Sequence, residues 1–225
     1  MSHFSRITLH KSALTLQEFA ELGFGAQAAH QLIWRAFGDH ADRIRDFVFR
    51  ADLERDALVF LAVSEREPED WGGRFVVETK PYAPVLEAGQ RLAFELRVNP
   101  TVSSFVEGAR GKRHDAVMHH KQQLSSEERR RKKGHEIVRE AALGWMERKG
   151  SRLGFSVLEE AFRADAYTQH EFRKKPTSKR MVKLSTLDLV GELVVEDPDA
   201  FGVVLREGIG SAKAYGNGLM LVRRV

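Results

Sequence analysis

The 225-residue chain contains no cysteine. That absence excludes disulfide staples, thiolate zinc sites and a cysteine nucleophile together, and it suits a reducing compartment. Long apolar runs are missing as well: no window approaches the roughly 18 consecutive apolar residues that span a bilayer. The opening MSHFSRITLHKSAL has neither an apolar h-region nor a small-residue cleavage pattern, so a secretory signal is not expected there. The expectation is a soluble, cytoplasmic protein with no membrane partner. What is present is ordinary globular usage, 42% apolar and 30% charged, unlike a disordered, collagenous or coiled-coil chain. The length suits one large domain or two small ones.

The net charge of +4 hides a segregation. Residues 1–109 hold 12 Lys/Arg against 16 Asp/Glu, residues 110–139 hold 10 against 4, and residues 140–225 hold 14 against 12. A solvated surface needs no such asymmetry, whereas a polyanion rewards it through counterion release. Charge alone leaves nucleic acid and a bland basic surface both open.

Hydrophobic periodicity predicts an α+β chain. Residues 4–9 alternate apolar and polar and read as a half-buried strand. From about 26 to 38 the period becomes helical: Ala29, Leu32, Ile33, Ala36 and Phe37 share one stripe between Gly25 and Gly38. Strands are expected at 46–50, 57–63, 74–78 and 90–98, the last with Leu92, Phe94, Leu96 and Val98 on one face. Asn99-Pro100 reads as a boundary, giving modules over 1–98 and 99–225. Residues 101–135, dense in charge and poor in period, read as a long loop. A helix is expected from about 136 to just before Gly150, with strands at 158–172 and 181–195. A short helix at 199–206, ended by Gly208, and a strand at 219–223 close the chain. The second half repeats the element order of the first, with antiparallel sheets and helices on one face.

The most distinctive string is GIGSAKAYGNGL at 208–219. Its glycines, Gly208, Gly210, Gly216 and Gly218, let the backbone approach another surface and present amides to an anion; tight turns beside a strand would use them equally well. It is not a Walker loop, because no Gly-Lys-Ser/Thr follows, nor a dinucleotide fingerprint, because Lys213 stands where the third glycine belongs. An acetyltransferase-type Arg-x-x-Gly-x-Gly fails by one residue from Arg206. His119, His120 and His135 lack ligand-spaced partners, and the zincin-like start at His135-Glu136 ends in Arg139, so no metal and no cofactor are expected. Trp34 and the phenylalanines fall at core spacing rather than on a base-stacking platform.

The glycine string resembles the glycine-rich loop of the repeat-associated RNA-binding superfamily of CRISPR proteins, and within it the CasE endoribonuclease family of type I-E Cascade. Three further stretches agree in order along the chain: AHQLIWRAF at 29–37 followed by RDFVF at 45–49, LAF leading into LRVNP at 92–100, and DPDA at 197–200 ahead of the glycine string. The resemblance implies two ferredoxin-like (RRM-like) modules in tandem. It implies cleavage of CRISPR repeat hairpins in precursor transcripts to mature crRNA, without metal and with the product retained. The partners implied are repeat RNA, mature crRNA and other Cascade subunits.

The family's catalytic histidine falls on His30, at the margin of the apolar stripe, where packing can hold a ring that still reaches solvent. An imidazole titrating near neutrality can take the proton of a ribose 2′-hydroxyl or give one to the leaving 5′-oxygen. Attack of that hydroxyl needs no metal, leaves a 2′,3′-cyclic phosphate and confines the reaction to RNA. Relatives often carry a tyrosine one turn earlier, where this chain has Gln27, which can hydrogen-bond but is neither acid nor base. Gln31, on the same exposed side, is a candidate RNA contact. In the family a basic hairpin grips the RNA stem, a role that falls here on Lys174, Lys175, Lys179 and Arg180 around Pro176. Arg110, Lys112 and Arg113 are candidate phosphate contacts, as are Lys213 and the four loop glycines. The run at 129–133 carries charge without a positional argument. A non-catalytic RNA-binding scaffold of the same superfamily is the alternative, and an unrelated two-module protein the third reading.

Overall fold

The alternating start of the chain forms strand β1 (Ser2–His10), followed by helix α1 (Ala26–Phe37) and strands β2 (Phe47–Leu53), β3 (Ala57–Ser64) and β4 (Phe75–Tyr82). The structure is a computed structural model that describes residues 1–15, 25–38, 44–106, 109–173 and 181–225, with the side chains of 104–112 outside that description. The four strands pair antiparallel in the order β2-β3-β1-β4. Helix α1 begins at Gly25 and is followed by Gly38. Its buried stripe packs on Ile7, Leu9, Phe47, Phe49, Phe60 and Phe75. Each fully buried Leu, Ile or Phe here contributes about 1.5–3 kcal/mol, so this one helix face anchors the first module.

The second sheet is built from β5 (Arg91–Val98), β8 (Phe155–Val157), β10 (Met181–Val195) and β11 (Met220–Arg224), with β9 (Arg163–Arg173) paired to β10. Helices α4 (Gly134–Leu153) and α5 (Pro198–Glu207) cover it. Taken as β5-α4-β8-β10-α5-β11, the strand order across the sheet is fourth, first, third, second, the same as in the first sheet. Both sheets therefore follow the ferredoxin-like β-α-β-β-α-β path. In the first, residues 65–74 stand where the second helix would be and contain no helix.

The division expected after residue 98 does not match the sheet pairing. Strand β5 is hydrogen-bonded between β10 and β11, as Phe94 opposite Gly191 and Val222 shows, so it opens the second module. Alternation over 91–98 marks a strand with one buried face; only pairing assigns it to a sheet. The expected loop at 101–135 is also structured. It holds the hairpin β6 (Thr101–Val106) and β7 (Ala109–Asp115), then α2 (Ala116–Gln123) and α3 (Ser126–Arg131). Asp115 caps α2 through the Met118 amide at 2.8 Å, and Ser125 with Glu128 forms a capping box on α3. These are local signals that the charge density obscured. Helix α4 runs past Gly150, where an added Cβ would lie 2.3 Å from the Phe155 carbonyl, and ends at Gly154 with φ 78°. Gly150 lets the helix approach β8; it does not stop the helix. The start of the strand expected at 158 is a short 3-10 turn, Glu159–Ala161.

Val48, Val63 and Leu219 form a small buried cluster between the modules, flanked by Phe4, Tyr82 and Leu221. Beside it, Arg97 on β5 donates from Nη1 to the Ala51 carbonyl (2.9 Å) and Asp52 (3.2 Å), and from Nε and Nη2 to Asp188 (2.7 and 2.9 Å). The Asp188 hydrogen bond, more than the opposing desolvation, raises the Arg97 pKa above its ordinary value. No helix among the described residues is long and apolar enough to cross a membrane.

Candidate functional site

His30 lies on α1 beside the buried stripe and is itself half-buried. Its Nδ1–H donates to the carbonyl of Ala214, 2.8 Å away in the glycine string of the other module. In that tautomer the lone pair of the neutral ring is on Nε2, the form in which an imidazole accepts a proton there. The ring also meets Trp34 edge-on, with centroids 6.5 Å apart, and Tyr215, with centroids 5.4 Å apart. One histidine thus touches both modules.

The loop that delivers Ala214 is held from several sides. Ala212 and Gly216 adopt the left-handed conformation at φ 58° and 78°, bracketing a 3-10 turn at Lys213–Tyr215. The buried Asn217 side chain donates to the carbonyls of Ala212 (3.4 Å) and Tyr215 (3.3 Å). Ser211 donates to the Asn99 side chain (2.9 Å), which in turn donates to the Ser185 carbonyl (2.8 Å), tying the loop to β5 and β10.

Three of the four glycine amides proposed for an anion are engaged within the chain. The Gly208 amide donates to Val204, that of Gly218 to Arg97 and that of Gly216 to Lys213, all backbone carbonyls. Their small size is what the fold uses. A Cβ on Gly208 would sit 2.7 Å from both the Gly218 carbonyl and Val48, and one on Gly210 would sit 3.2 Å from Val98 and 3.4 Å from Trp145. Lys213 donates to the Glu207 carbonyl at 2.7 Å, at the C-terminal end of α5. Burial, followed by the charge of Arg45, pushes its pKa down.

Of the other candidates, Gln27 lies one turn before His30 and is half-buried, and Gln31 is exposed. Arg113 is exposed at the end of β7, in a cleft of about 740 Å³ that also involves His114, His170, Lys183 and Tyr215. Arg110 and Lys112 lie on β7, but their side chains fall outside the described residues. Lys174, Lys175, Lys179 and Arg180 fall outside them entirely; the ribbon that leads to them is described, with Arg173 opposite Met181. Among the described residues no group of three or more His, Asp or Glu side chains could hold a metal ion.

Two residues escape sequence reasoning. His170 on β9 bonds Thr186 Oγ1 at 2.8 Å, and burial, then the nearby Arg97 cation, lowers its pKa. Tyr215 packs on both His30 and Phe172, the Phe172 ring lying 5.1 Å from it. It also lines both the cleft and a second cavity of about 250 Å³ between the modules. Nothing local singles out Tyr215 except its place beside Gly216.

The two matching sheets define a tandem ferredoxin-like protein with His30 at the join. A family model for CRISPR associated protein matches residues 2–224, and the chain belongs to that family, to its CasE type. It is 32% identical over 177 residues to the CRISPR-associated endoribonuclease Cse3 of Thermus thermophilus, covering 73% of this chain and 72% of the relative. To the CRISPR system Cascade subunit CasE of Escherichia coli it is 26% identical over 198 residues, covering 85% and 88%. A solved structure of the CRISPR endoribonuclease Cse3 bound to 19-nucleotide RNA superposes with a TM-score of 0.69 at 25% identity, covering 99% of this chain and 98% of that one.

Proposed function

We propose that this protein is a metal-independent endoribonuclease that cuts the hairpin of CRISPR repeat RNA in precursor transcripts and keeps the mature crRNA as a Cascade subunit. The observation that carries the reading is the bond from His30 Nδ1 to the Ala214 carbonyl, which presents an imidazole of defined tautomer at the module join. A relative named as a CRISPR-associated endoribonuclease supports the reaction class, and one named as a Cascade subunit supports the assembly.

In the proposed step, His30 Nε2 accepts the proton of the 2′-hydroxyl preceding the scissile phosphate. The 2′-oxygen attacks phosphorus, the bond to the 5′-oxygen breaks, and that oxygen takes a proton from solvent water as it leaves. The products are a 2′,3′-cyclic phosphate and a 5′-hydroxyl, and the nucleophile belongs to the substrate, so no metal-activated water is needed. The stem lies along the β9–β10 ribbon, with Lys174, Lys175, Lys179 and Arg180 on its phosphates and Arg113 in the cleft beside it.

The test is single-turnover cleavage of the cognate repeat in excess chelator, with analysis of the product ends. A single cut ending in a cyclic phosphate is expected. His30→Ala is expected to bind the repeat normally and to cut it about 10²–10⁴-fold more slowly. Cutting of a substrate carrying 2′-deoxyribose at the scissile position would overturn the mechanism, and tight binding without any cut would leave a scaffold instead.

A further inference from the structure

His30 is not the only polar side chain that the fold brings to the join. We infer that Tyr215 is a second catalytic residue, its hydroxyl donating a hydrogen bond to a non-bridging oxygen of the phosphate attacked at His30. The inference rests on the nuclease reading above and adds to it a residue from the other module.

Three observations carry it. The Tyr215 ring packs on the His30 ring with centroids 5.4 Å apart, so a phosphate within reach of the imidazole is within a side chain's length of the phenol. Phe172 also packs on the ring, edge-on with centroids 5.1 Å apart, and the turn between Ala212 and Gly216 fixes its backbone. The phenol is therefore positioned before any substrate arrives. Finally, no described residue hydrogen-bonds its hydroxyl, and only burial acts on its ionisation. Tyr215 is half-buried and lines both the cleft and the inter-module cavity, so its unbonded hydroxyl is a donor with capacity for a ligand.

The chemistry suits the position. As the 2′-oxygen adds to phosphorus, negative charge grows on the non-bridging oxygens, and a fixed donor aimed there stabilises the transition state more than the ground state. Burial raises the phenol pKa above its ordinary value, so Tyr215 stays protonated through the neutral range in which an imidazole works. It acts as donor, not base. The proton removed from the 2′-hydroxyl still goes to His30, and bond making and breaking at phosphorus are unchanged.

The experiment compares wild type, Tyr215→Phe, Tyr215→Leu and His30→Ala in single-turnover cleavage at saturating protein, with repeat-RNA affinity measured in parallel. Tyr215→Phe keeps the ring packing and removes only the hydroxyl. A rate about 10–10²-fold lower is expected, with affinity within about twofold and the imidazole limb of the pH profile unmoved. Tyr215→Leu, which also removes the ring support of His30, is expected to move that limb. Sulfur replacing a non-bridging oxygen is expected to slow the wild type and to add little to Tyr215→Phe. Wild-type cleavage by Tyr215→Phe, or a pH limb displaced in Tyr215→Phe, overturns the inference and leaves the ring a positioning role only. Undiminished cleavage by His30→Ala would instead sink the role of His30 as the base, on which the inference rests, and absence of cleavage by the wild type would sink the nuclease reading itself.

Discussion

His30 and Ala214 are hydrogen-bonded at 2.8 Å although 184 positions separate them in the chain. The bond joins α1 to the turn just before β11, so docking of the two modules and the tautomer of one imidazole are a single geometric fact. That coupling shapes what substitutions should do.

Gly218 is the position at which the loop tolerates least. Its φ is 94°, and an added Cβ would lie 2.5 Å from the Ile209 carbonyl. Gly218→Ala is expected to cost about 2–3 kcal/mol through strain and backbone displacement, readable as a lowered urea midpoint. Because Gly218 also bonds Arg97, cleavage at permissive temperature should fall further than the population of folded protein does.

The Arg97 cluster is the second tie between the modules. Arg97→Met keeps the stem and removes both the fork on Asp188 and the contacts to Ala51 and Asp52. A loss of about 2 kcal/mol in chemical denaturation is expected, since the side chain is partly solvated and its carboxylate partners stay behind. Asp188→Asn should cost less, because the guanidinium keeps Asp52.

Stability should fall in mild acid, and His170 should account for part of the fall. Burial, then the Arg97 cation, lowers its pKa below the ordinary 6.5. The unfolded chain therefore binds this proton more tightly than the folded one. At pH above the unfolded value the residue contributes its full share; as pH falls below about 6.5 towards the folded value, that share is progressively lost. Thermal melts between about pH 7 and pH 5 are expected to show a smaller decline for His170→Gln than for wild type.

Affinity for repeat RNA should depend steeply on salt. Arg113 and Lys183 line the cleft that reaches Tyr215. Arg113→Ala and Lys183→Ala are each expected to weaken binding and to reduce the slope of log affinity against log salt by about one, with no change in which bond is cut. Unaltered slopes would place the RNA elsewhere.

Much of this molecule is legible without coordinates because the signals are local. The stripe 29-32-33-36-37 predicts α1 to within a residue, and the alternation in 90–98 and 181–195 predicts β5 and β10. Asp197-Pro198 and Gly208 bracket α5 as a cap and a stop. Helical period likewise puts His30 at the stripe's edge, but only the family resemblance singles it out as a candidate catalyst. Residues 101–135 read as a loop because short strands and highly charged helices carry almost no period; their capping residues are the better guide.

The places of α1, β5, β10 and α5, the concentration of positive charge after residue 109 and the glycine string were all determined by the amino-acid sequence alone, since each depends on neighbours within a few residues. Tertiary structure alone decided that β5 belongs to the second sheet, that the amides of Gly208, Gly216 and Gly218 face internal carbonyls, and that Tyr215 stands against His30. Those are pairings between distant segments. Their partners are chosen by which buried faces and backbone groups satisfy one another in three dimensions, and no local pattern records that choice.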